Sequence, residues 1–390
     1  MLSLFSKRTI ISIIIFTGLF ACGVPSKEKA GSETAASELI PPPQKLSPIE
    51  FRNIFKKTEE FYDSTLAATG FNGSMLVAKN GTVVFERYSG YAHLNKKDTI
   101  TSATSFHIAS TSKTFTAMAV LKLAELGKLA VTDPLQKFFP AFPYHGVTVK
   151  SLLSQRSGLP NYMYYLDEIK WDKNKRVTNN DVLKTLIEFQ PKPQQLPNKH
   201  FQYCNTNFVL LALVIEKVSG MSYEAFLEET FFKPLHMTHT KVFNWKDSAG
   251  VTPSYVWNGN LDPLSYLDET YGDKNIYSTV TDLLKWDQAL YSNKLFSNVT
   301  IDSAFTPYSH EKPGIHNYGL GWRMYTLANN KKIIYHNGWW HGNNATFYRV
   351  ITHGLTIIVL GNKFNRNIYR VKPLIESLTD LKFSYENEEE

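Results

Sequence analysis

A serine and a lysine three residues apart carry the first chemical signal in this chain. Ser110-Thr-Ser-Lys113 lies within the stretch Phe106–Ala117, and residues three apart share one face of a helix. A hydroxyl beside an amine can act as a nucleophile with its own base. Because a free lysine amine is protonated near neutrality, this role requires burial or a positive neighbour such as a helix N-terminus. Ser-x-x-Lys also occurs at Ser26–Lys29, so the spacing alone equally fits an N-cap serine followed by a solvated lysine.

A second motif, Tyr203-Cys-Asn205, stands where a loop enters a predicted helix. A phenol near a lysine can pass protons, because each group shifts the acidity of the other. The Asn205 amide can hold Lys113 and can also bind a substrate amide. Tyr-x-Asn recurs at Tyr291–Asn293 and Tyr335–Asn337, and a helix cap with Tyr203 packed in the core is the alternative interpretation.

A third motif, His336-Asn-Gly338-Trp339, lies on a predicted strand near the end of the chain. Glycine on a strand lets a substrate approach the backbone closely. The backbone N–H of Trp339 can pair with that of Ser110 to form an oxyanion hole. The alternative is a strand end that carries a surface histidine.

The elements that position these motifs begin with a helix and a hairpin. The apolar spacing predicts an amphipathic helix over Ile49–Ala68 and the helix that carries the nucleophile, with apolar residues from Phe115 to Leu126. Two short strands, Gly73–Lys79 and Thr82–Tyr88, are joined by Asn80-Gly81. Asn-Gly between alternating apolar residues is a strong signal for a two-residue hairpin turn.

The middle of the chain reads as helical and the end as strands. The predicted helices are Val149–Ser157, Asn180–Phe189, Asn205–Ser219, Ser222–Phe232, a segment from Ser278 to Tyr291 and Asn367–Leu378; the late strands are Tyr318–Tyr325, Lys332–His336, Ala345–Thr352 and Leu355–Gly361. We therefore predict an α/β (α+β) fold. Its antiparallel sheet, flanked by helices, is built from both chain ends (about 49–130 and 265–380), with an inserted all-helical lobe (about 131–264) and a site in the cleft between them. Residues 381–390 read as a polar tail.

The first 48 residues predict export and anchoring. Lys7 and Arg8 precede a short apolar core, Ile10–Phe20, which reads as the core of a signal peptide over residues 1–21. Leu19-Phe-Ala-Cys22 resembles the lipobox of bacterial lipoproteins, which predicts a lipid on Cys22 and attachment to a membrane of the bacterial cell envelope. The alternative is ordinary signal cleavage with an unmodified cysteine. Residues 22–48, rich in Ser, Ala, Glu, Lys and Pro, read as a disordered tether.

Composition excludes several classes of protein. A chain of 390 residues with 43% hydrophobic residues can bury a large core. The net charge of +7 is spread along the chain without a basic block, which argues against a nucleic-acid partner. Two cysteines argue against a disulfide framework. Neither histidine pair, His236 with His239 or His336 with His341, has an acidic or cysteine cluster in the sequence around it, so we predict no metal site and no cofactor.

Taken together, the three ordered motifs resemble the serine β-lactamase-related family, over roughly Gly73 to Gly361. This family includes class C β-lactamases, D-alanyl-D-alanine carboxypeptidases, D-aminopeptidases and related esterases. Connecting stretches are similar too, namely Leu152–Pro160, Phe232–Met237, Ile276–Leu284 and Tyr318–Trp322. The resemblance implies a β-lactamase/transpeptidase-like fold and covalent acyl transfer without a metal.

The resemblance also implies a role for each motif residue. Ser110 would attack a carbonyl, with Lys113 and Tyr203 sharing the general-base and general-acid work. The N–H groups of Ser110 and Trp339 would hold the oxyanion. Asn205, His336 and Gly338 would orient the substrate.

Two residues depart from the family pattern. The family's β-lactamases usually carry Lys-Thr-Gly where this chain has His336-Asn-Gly338. A histidine is only partly charged near neutrality and is a weaker clamp for a substrate carboxylate, which favours an esterase or peptidase over a β-lactamase. Cys204 replaces a small residue; we predict a buried side chain, with a thiol nucleophile as the alternative.

The sequence thus predicts a serine hydrolase that acts on peptide, amide or ester bonds of small-molecule or peptide substrates. Cell-wall fragments and D-amino-acid compounds are the candidate substrates. The alternatives are a β-lactamase proper, or a penicillin-binding-like sensor that is acylated without turnover.

Overall fold

The computed structural model describes residues 39–328 and 331–383, so the predicted leader and Cys22 lie outside the described residues. The α-helices are α1 (Pro48–Phe61), α2 (Ser112–Glu125), α3 (Val149–Leu153), α4 (Tyr162–Glu168), α5 (Asn179–Phe189), α6 (Asn205–Ser219), α7 (Tyr223–Leu227), α8 (Val280–Ala289), α9 (Asn298–Ala304) and α10 (Lys372–Leu378). Single π turns follow α1 and α7, at Tyr62–Leu66 and Glu228–Phe232. Short 3₁₀ segments occupy Ala67–Thr69, Ala109–Thr111, Leu135–Lys137, Trp245–Gly250, Ile351–His353 and Arg366–Tyr369.

Most of the strands form one large sheet. The strands are β1 (Gly73–Lys79), β2 (Thr82–Ser89), β3 (Tyr91–His93), β4 (Asp98–Thr99), β5 (Phe106–His107), β6 (Lys241–Val242), β7 (Ser254–Tyr255), β8 (Leu261–Asp262), β9 (Ile276–Ser278), β10 (His316–Tyr318), β11 (Arg323–Thr326), β12 (Lys332–Trp340), β13 (Asn343–Val350) and β14 (Leu355–Gly361). A seven-stranded sheet runs in the order β10-β11-β12-β13-β14-β1-β2, and each neighbouring pair is antiparallel. The predicted fold class, with a sheet built from both chain ends, is confirmed.

The first hairpin follows the turn that its sequence predicts. Lys79 pairs with Thr82, and the two residues between them have positive φ angles, 49° at Asn80 and 78° at Gly81. A two-residue turn with this left-handed geometry matches the natural twist of the two strands. The hairpin places β2 at the edge of the sheet and β1 against β14.

Helices cover both faces of the sheet. On one face, Leu76 and Ile358 belong to the larger apolar core, in which α8 packs on β14 and β1 and α2 packs on α6. On the other face, Val77 and Ile357 belong to a second core shared with α1 and α10. Adjacent strand residues point to opposite faces, so a strand covered on both faces is apolar along its length.

Helix α2 is buried on nearly all sides because it lies between the sheet and α6. Each residue from Ser112 to Leu121 is buried, including the charged Lys113. A helix that is apolar around its circumference belongs in the interior of a protein. The predicted nucleophile helix therefore holds its first turn in a fixed place inside the molecule.

One predicted strand is two strands. The Tyr318–Tyr325 pattern divides into the end of β10 and the start of β11, which pair with each other as a hairpin. The break comes at Gly319–Gly321, where Gly321 has a φ angle of 80° and an added Cβ would lie 2.2 Å from the Ala117 Cβ. Contact with α2 forces this turn, and the local alternation of residues did not reveal it.

The middle lobe is not all helical, which corrects the prediction. Three short strands, β6, β7 and β8, fall within residues 241–262. β6 pairs with β9, and β9 pairs with β5 just before the nucleophile turn. β6, β7 and β8 have two residues each, too short for a periodic pattern to predict.

Several predicted helices are shorter or divided in the structure. Val149–Ser157 ends as a helix at Leu153, Ser222–Phe232 continues as a π turn, and Asn367–Leu378 consists of a 3₁₀ segment followed by α10. The Ser154 hydroxyl donates to the Lys150 carbonyl at 2.8 Å, and Gln155 has a φ angle of 57°. A residue with left-handed backbone angles ends an α-helix, even where the apolar residues that follow keep helical spacing.

Both predicted polar ends are partly packed on the domain. Within the predicted tether, the Gln44 N–H donates to the Asn80 carbonyl at 3.0 Å, and the Ser292 hydroxyl donates to the Leu39 carbonyl at 2.5 Å. Within the predicted tail, Leu381 and Phe383 are buried in the second core. The folded unit therefore includes residues 39–48 and 381–383. Over the ranges that the structure describes, we find no helix that combines the length and apolarity needed to cross a membrane.

We predict that Gly321→Ala destabilises the protein more than Gly127→Ala. Both glycines have positive φ, but a Cβ at Gly127 meets nothing within 4 Å. Left-handed backbone costs an ordinary residue about 1–2 kcal/mol at either site. The collision with Ala117 adds about 1–3 kcal/mol at Gly321. Urea unfolding of both variants measures this difference, and equal losses of unfolding free energy would contradict the proposed contact.

Candidate active site

Ser110 lies in a strained turn immediately before α2. It is the middle residue of the 3₁₀ segment Ala109–Thr111, and its side chain is half-buried. Ala109 has a φ angle of 48°, a conformation that is uncommon outside glycine and that collects at functional sites. The turn thus places a partly accessible hydroxyl at the N-terminal end of a buried helix.

A neutral histidine holds this turn. The Ala109 N–H donates to His107 Nδ1 at 3.1 Å, so His107 Nε2 carries the hydrogen and donates to Asn275 Oδ1 at 2.7 Å. Burial lowers the pKa of His107 to about 4. The imidazole therefore stays neutral near pH 7 and keeps one fixed tautomer. The sequence analysis did not single out His107, although it lies three residues before Ser110.

Gly338 allows strand β12 to pass directly against the nucleophile turn. An added Cβ at Gly338 would lie 2.2 Å from the Ile108 carbonyl oxygen. We predicted that this glycine makes room for a substrate; in the structure the neighbouring backbone fills that space. Trp339 follows on β12 with its side chain 65% exposed, and its indole N–H donates to the His341 carbonyl at 2.8 Å.

The Lys113 amine has three polar neighbours. Its Nζ lies 3.0 Å from Ser110 Oγ, 2.8 Å from Asn205 Oδ1 and 2.7 Å from the Asp273 carbonyl oxygen. The last two atoms can only accept hydrogen bonds. A neutral amine would satisfy both of them with its two hydrogens and would have its lone pair free for the Ser110 hydroxyl. The side chain is fully buried, and this arrangement lets it take the serine proton.

Tyr203 lies beside two basic side chains, Lys113 and Arg323. The Lys113 Nζ is 5.0 Å and the Arg323 Cζ is 5.1 Å from the centre of the Tyr203 ring. The structure therefore brings Tyr203 together with Lys113 and Asn205, and it adds Arg323, which the sequence analysis missed. Arg323 directly follows the Tyr318–Trp322 stretch, but the pairing of β11 with β12 is needed to bring it to Tyr203.

His336 is buried, which corrects its predicted contact with substrate. Its Nδ1 lies 2.7 Å from the Asn337 carbonyl and must donate to it, so Nε2 faces the Tyr318 hydroxyl at 3.5 Å as an acceptor. Burial, together with the positive charge of Arg323, lowers the pKa of His336 well below its usual value. The ring is neutral near pH 7, and a permanent positive charge comes instead from Arg323 on the adjacent strand.

Cys204 is the buried small side chain that the sequence predicts. It is 1% exposed, and its Sγ donates to the Leu159 carbonyl at 3.4 Å. Burial raises the pKa of this thiol to about 11. Since the thiolate is the nucleophilic form of cysteine, the alternative of a thiol nucleophile loses its support.

Charged side chains also lie behind the site, and the sequence analysis did not find them. His341 Nε2 is 3.0 Å from Asp268 Oδ2, and His341 Nδ1 is 3.3 Å from Asp262 Oδ1. We had predicted a structural His341 without acidic neighbours, but both aspartates are distant from it in the sequence. Among residues 39–328 and 331–383, His, Cys, Asp and Glu side chains form no group of three or more able to hold a metal ion.

We predict that acid destabilises the protein partly through His107. Its pKa falls from 6.5 to about 4 on folding, so between these values the unfolded chain binds a proton that the folded chain excludes. Stability is therefore lost as the pH falls through this window, by up to about 3 kcal/mol for this one group. His107→Gln cannot titrate, so the difference in unfolding free energy between wild type and variant should shrink from pH 7.5 to pH 4. Parallel stability curves for the two proteins over this range would contradict the assignment.

Comparison with known proteins identifies the family to which the chain belongs. The Beta-lactamase family model matches residues 63–374. Penicillin-binding protein 4* of Bacillus subtilis (strain 168) is 35% identical over 309 residues, which span 75% of this chain and 68% of that protein.

Solved structures share the fold. A penicillin-binding protein from Bacillus halodurans aligns with a TM-score of 0.71 and 25% identity, over 81% of this chain and 98% of its own. A D-amino acid amidase from Ochrobactrum anthropi SV3, complexed with L-phenylalanine amide, aligns with a TM-score of 0.67 and 21% identity, over 84% of this chain and 97% of its own. At that identity, the second likeness concerns the fold alone. The family match covers most of the chain, and the chain therefore belongs to the Beta-lactamase family, within the superfamily of serine hydrolases that also includes penicillin-binding proteins.

Proposed function

We propose that this protein is a serine hydrolase that forms an acyl-enzyme on Ser110 and cleaves amide, peptide or ester bonds. The observation that carries the proposal is the 3.0 Å contact between Lys113 Nζ and Ser110 Oγ. The remaining acceptors of the amine, Asn205 Oδ1 and the Asp273 carbonyl, point its lone pair toward the serine. Family membership supports the same chemistry.

The reaction follows from this arrangement. The Ser110 hydroxyl gives its proton to Lys113 as its oxygen attacks the substrate carbonyl carbon. The N–H groups of Ser110 and Trp339 stabilise the resulting oxyanion. Lys113 and Tyr203 return the proton to the leaving amine or alcohol when the carbonyl bond to it breaks. A water molecule then releases the acyl group by the same steps in reverse order.

A substrate that carries a carboxylate fits the charge of the site. Arg323 is half-buried beside Tyr203, and its guanidinium is positive at any working pH. The neutral His336 cannot supply that charge. Short peptides that end in a D-amino acid with a free carboxylate, including cell-wall fragments, are the substrates we favour. Attachment of the enzyme to an envelope membrane through Cys22 stays a prediction.

A β-lactamase is the second candidate, because Arg323 would also hold the carboxylate of a β-lactam. Hydrolysis of a chromogenic β-lactam would favour it over a peptidase. A stable adduct without turnover would instead identify a penicillin-binding-like sensor.

We predict that Ser110→Ala abolishes acylation and leaves the protein folded. Intact-mass measurement should show the wild type gaining one acyl group from a reactive ester or β-lactam probe. The alanine variant should react at least about 10³-fold more slowly, and Lys113→Ala should be similarly impaired because the two groups act together. Cys204→Ala is the matched control, since its thiol is buried and protonated, and it should keep the adduct. An adduct that persists in Ser110→Ala would place the nucleophile elsewhere.

We predict that Arg323→Met selectively weakens turnover of carboxylate substrates. A charged hydrogen bond contributes about 1.5–3 kcal/mol, so kcat/KM for a peptide with a free C-terminal carboxylate should fall roughly 10- to 150-fold. The C-terminal amide of the same peptide, which lacks the charge, should lose much less. Arg323→Lys should retain part of the preference. An equal loss for both peptides would show that Arg323 does not bind the carboxylate.

A further inference from the structure

A second buried lysine, Lys274, lies on the far side of the residue that Lys113 contacts. It is 3% exposed, its Nζ donates to the Tyr162 hydroxyl at 2.7 Å and to Thr270 Oγ1, and it lies 3.6 Å from Asp273 Oδ2. Burial lowers the pKa of Lys274, and the charges of Asp273 and Asp268 oppose that effect. In its charged form the amine has three hydrogens to donate, and these three oxygens surround it. Lys274 has no part in the reaction proposed above.

Asp273 connects the two lysines. Its backbone carbonyl accepts a hydrogen bond from Lys113 at 2.7 Å, and its carboxylate accepts one from the Tyr162 hydroxyl at 2.9 Å. Asp273 Oδ1 is buried and has no hydrogen-bond partner within the described residues. The carboxylate therefore depends on Tyr162 and on the charge of Lys274 for its stability in the interior.

Lys274 also contacts the strand that forms the opposite wall of the site. Its Nζ lies 4.8 Å from the centre of the Trp340 ring on β12. The Trp340 indole N–H donates to Asp268 Oδ1 at 2.5 Å. A single buried cation thus joins the residue that orients the base to the strand that carries the proposed oxyanion donor.

We propose that Lys274 is a positioning residue for the base, an inference that rests on the proposed function. The positive charge of Lys274 balances the negative charge of the Asp273 carboxylate, so that Lys113 can work as a neutral amine. Without this balance, a buried negative charge would belong to the same residue whose carbonyl accepts from Lys113. An uncompensated carboxylate favours the protonated form of a neighbouring amine. The protonated amine has no lone pair to receive the serine proton, so acylation at neutral pH would slow.

Other charged groups face this cluster, and each has its own partner or is neutral. Asp268 pairs with His341, and His341 also contacts Asp262. Burial disfavours the charged form of both Asp268 and His341, but their contact outweighs it, so the pKa of Asp268 is lowered and the pKa of His341 is raised. Tyr162 keeps its proton, because burial and the Asp273 charge raise its pKa.

Two histidines and one arginine are further titratable groups around the base. His107 and His336 are neutral, since burial lowers the pKa of each. Arg323 is charged. The charge of Lys274 stabilises both the Asp273 and the Asp268 carboxylates. Asp268 also has His341 as a partner at 3.0 Å, so a change at Lys274 unbalances chiefly Asp273.

The test compares Lys274→Met, Asp273→Asn and the double variant by the pH dependence of kcat/KM for the substrate that acylates Ser110. Lys274→Met should move the acidic limb of the profile to higher pH by about one unit, with an activity loss of about tenfold at pH 7. Asp273→Asn should move it to lower pH, and the double variant should return close to the wild-type position. Lys233→Met, which breaks an exposed ion pair with Glu229, is the control and should not move it.

These opposite displacements separate charge balance from simple structural damage. A loss of rate with an unmoved limb in Lys274→Met would overturn the proposal, as would a double variant that keeps the displacement of the single one. Should Lys274→Met fail to fold, the downward displacement in Asp273→Asn decides, and its absence overturns the proposal.

A measurement without turnover keeps this inference distinct from the proposed function. Side-chain NMR of isotopically labelled lysines follows the titration of each amine, and Lys113→Met assigns the Lys113 signal by its loss. In Lys274→Met that signal should titrate at higher pH than in the wild type. An unchanged titration overturns the role of Lys274, whereas failure of the wild type to acylate refutes only the hydrolase proposal.

Discussion

The burial of one amine is the constraint on which this structure depends. Lys113 is fully buried, and its nitrogen is held by Ser110, Asn205 and the carbonyl of Asp273. A buried ionisable group without partners would cost several kcal/mol, so the fold must deliver all three contacts together. Each comes from a different part of the chain: the nucleophile turn, the start of α6 and the loop before β9.

The backbone around the site is unusually constrained where these parts meet. Ala109, Gln155, Asn275 and His341 all have positive φ angles, which L-residues adopt only when the surrounding structure compensates the strain. Gln155 shows how this occurs, because its Oε1 accepts from the Cys204 N–H at 3.0 Å and from Asn207 Nδ2 at 2.6 Å. Those bonds fix the start of α6 and with it Tyr203 and Asn205.

Charge is distributed over the site in a way that the motifs do not reveal. The third motif holds a buried neutral histidine, His336, and a permanent positive charge lies on the neighbouring strand as Arg323. Behind the base, Lys274 and Asp273 form a second buried pair. Such groups are separated in the sequence and meet only through strand pairing and loop packing, which is why residue types alone could not place them.

The sequence by itself determined the three motifs, the Asn80-Gly81 hairpin, the nucleophile helix and the α/β class, because each depends on local spacing or on turn chemistry within a few residues. It also predicted the contact of Asn205 with Lys113 and the burial of Cys204. Only the tertiary structure decided that β10 and β11 are separate strands, that residues 39–48 pack on the domain, and that Gly338 makes room for Ile108 rather than for a ligand. It also decided which cations surround Tyr203 and the base. The physical reason is distance along the chain: contacts between remote segments follow from sheet register and close packing, and neither is encoded in any single window of residues.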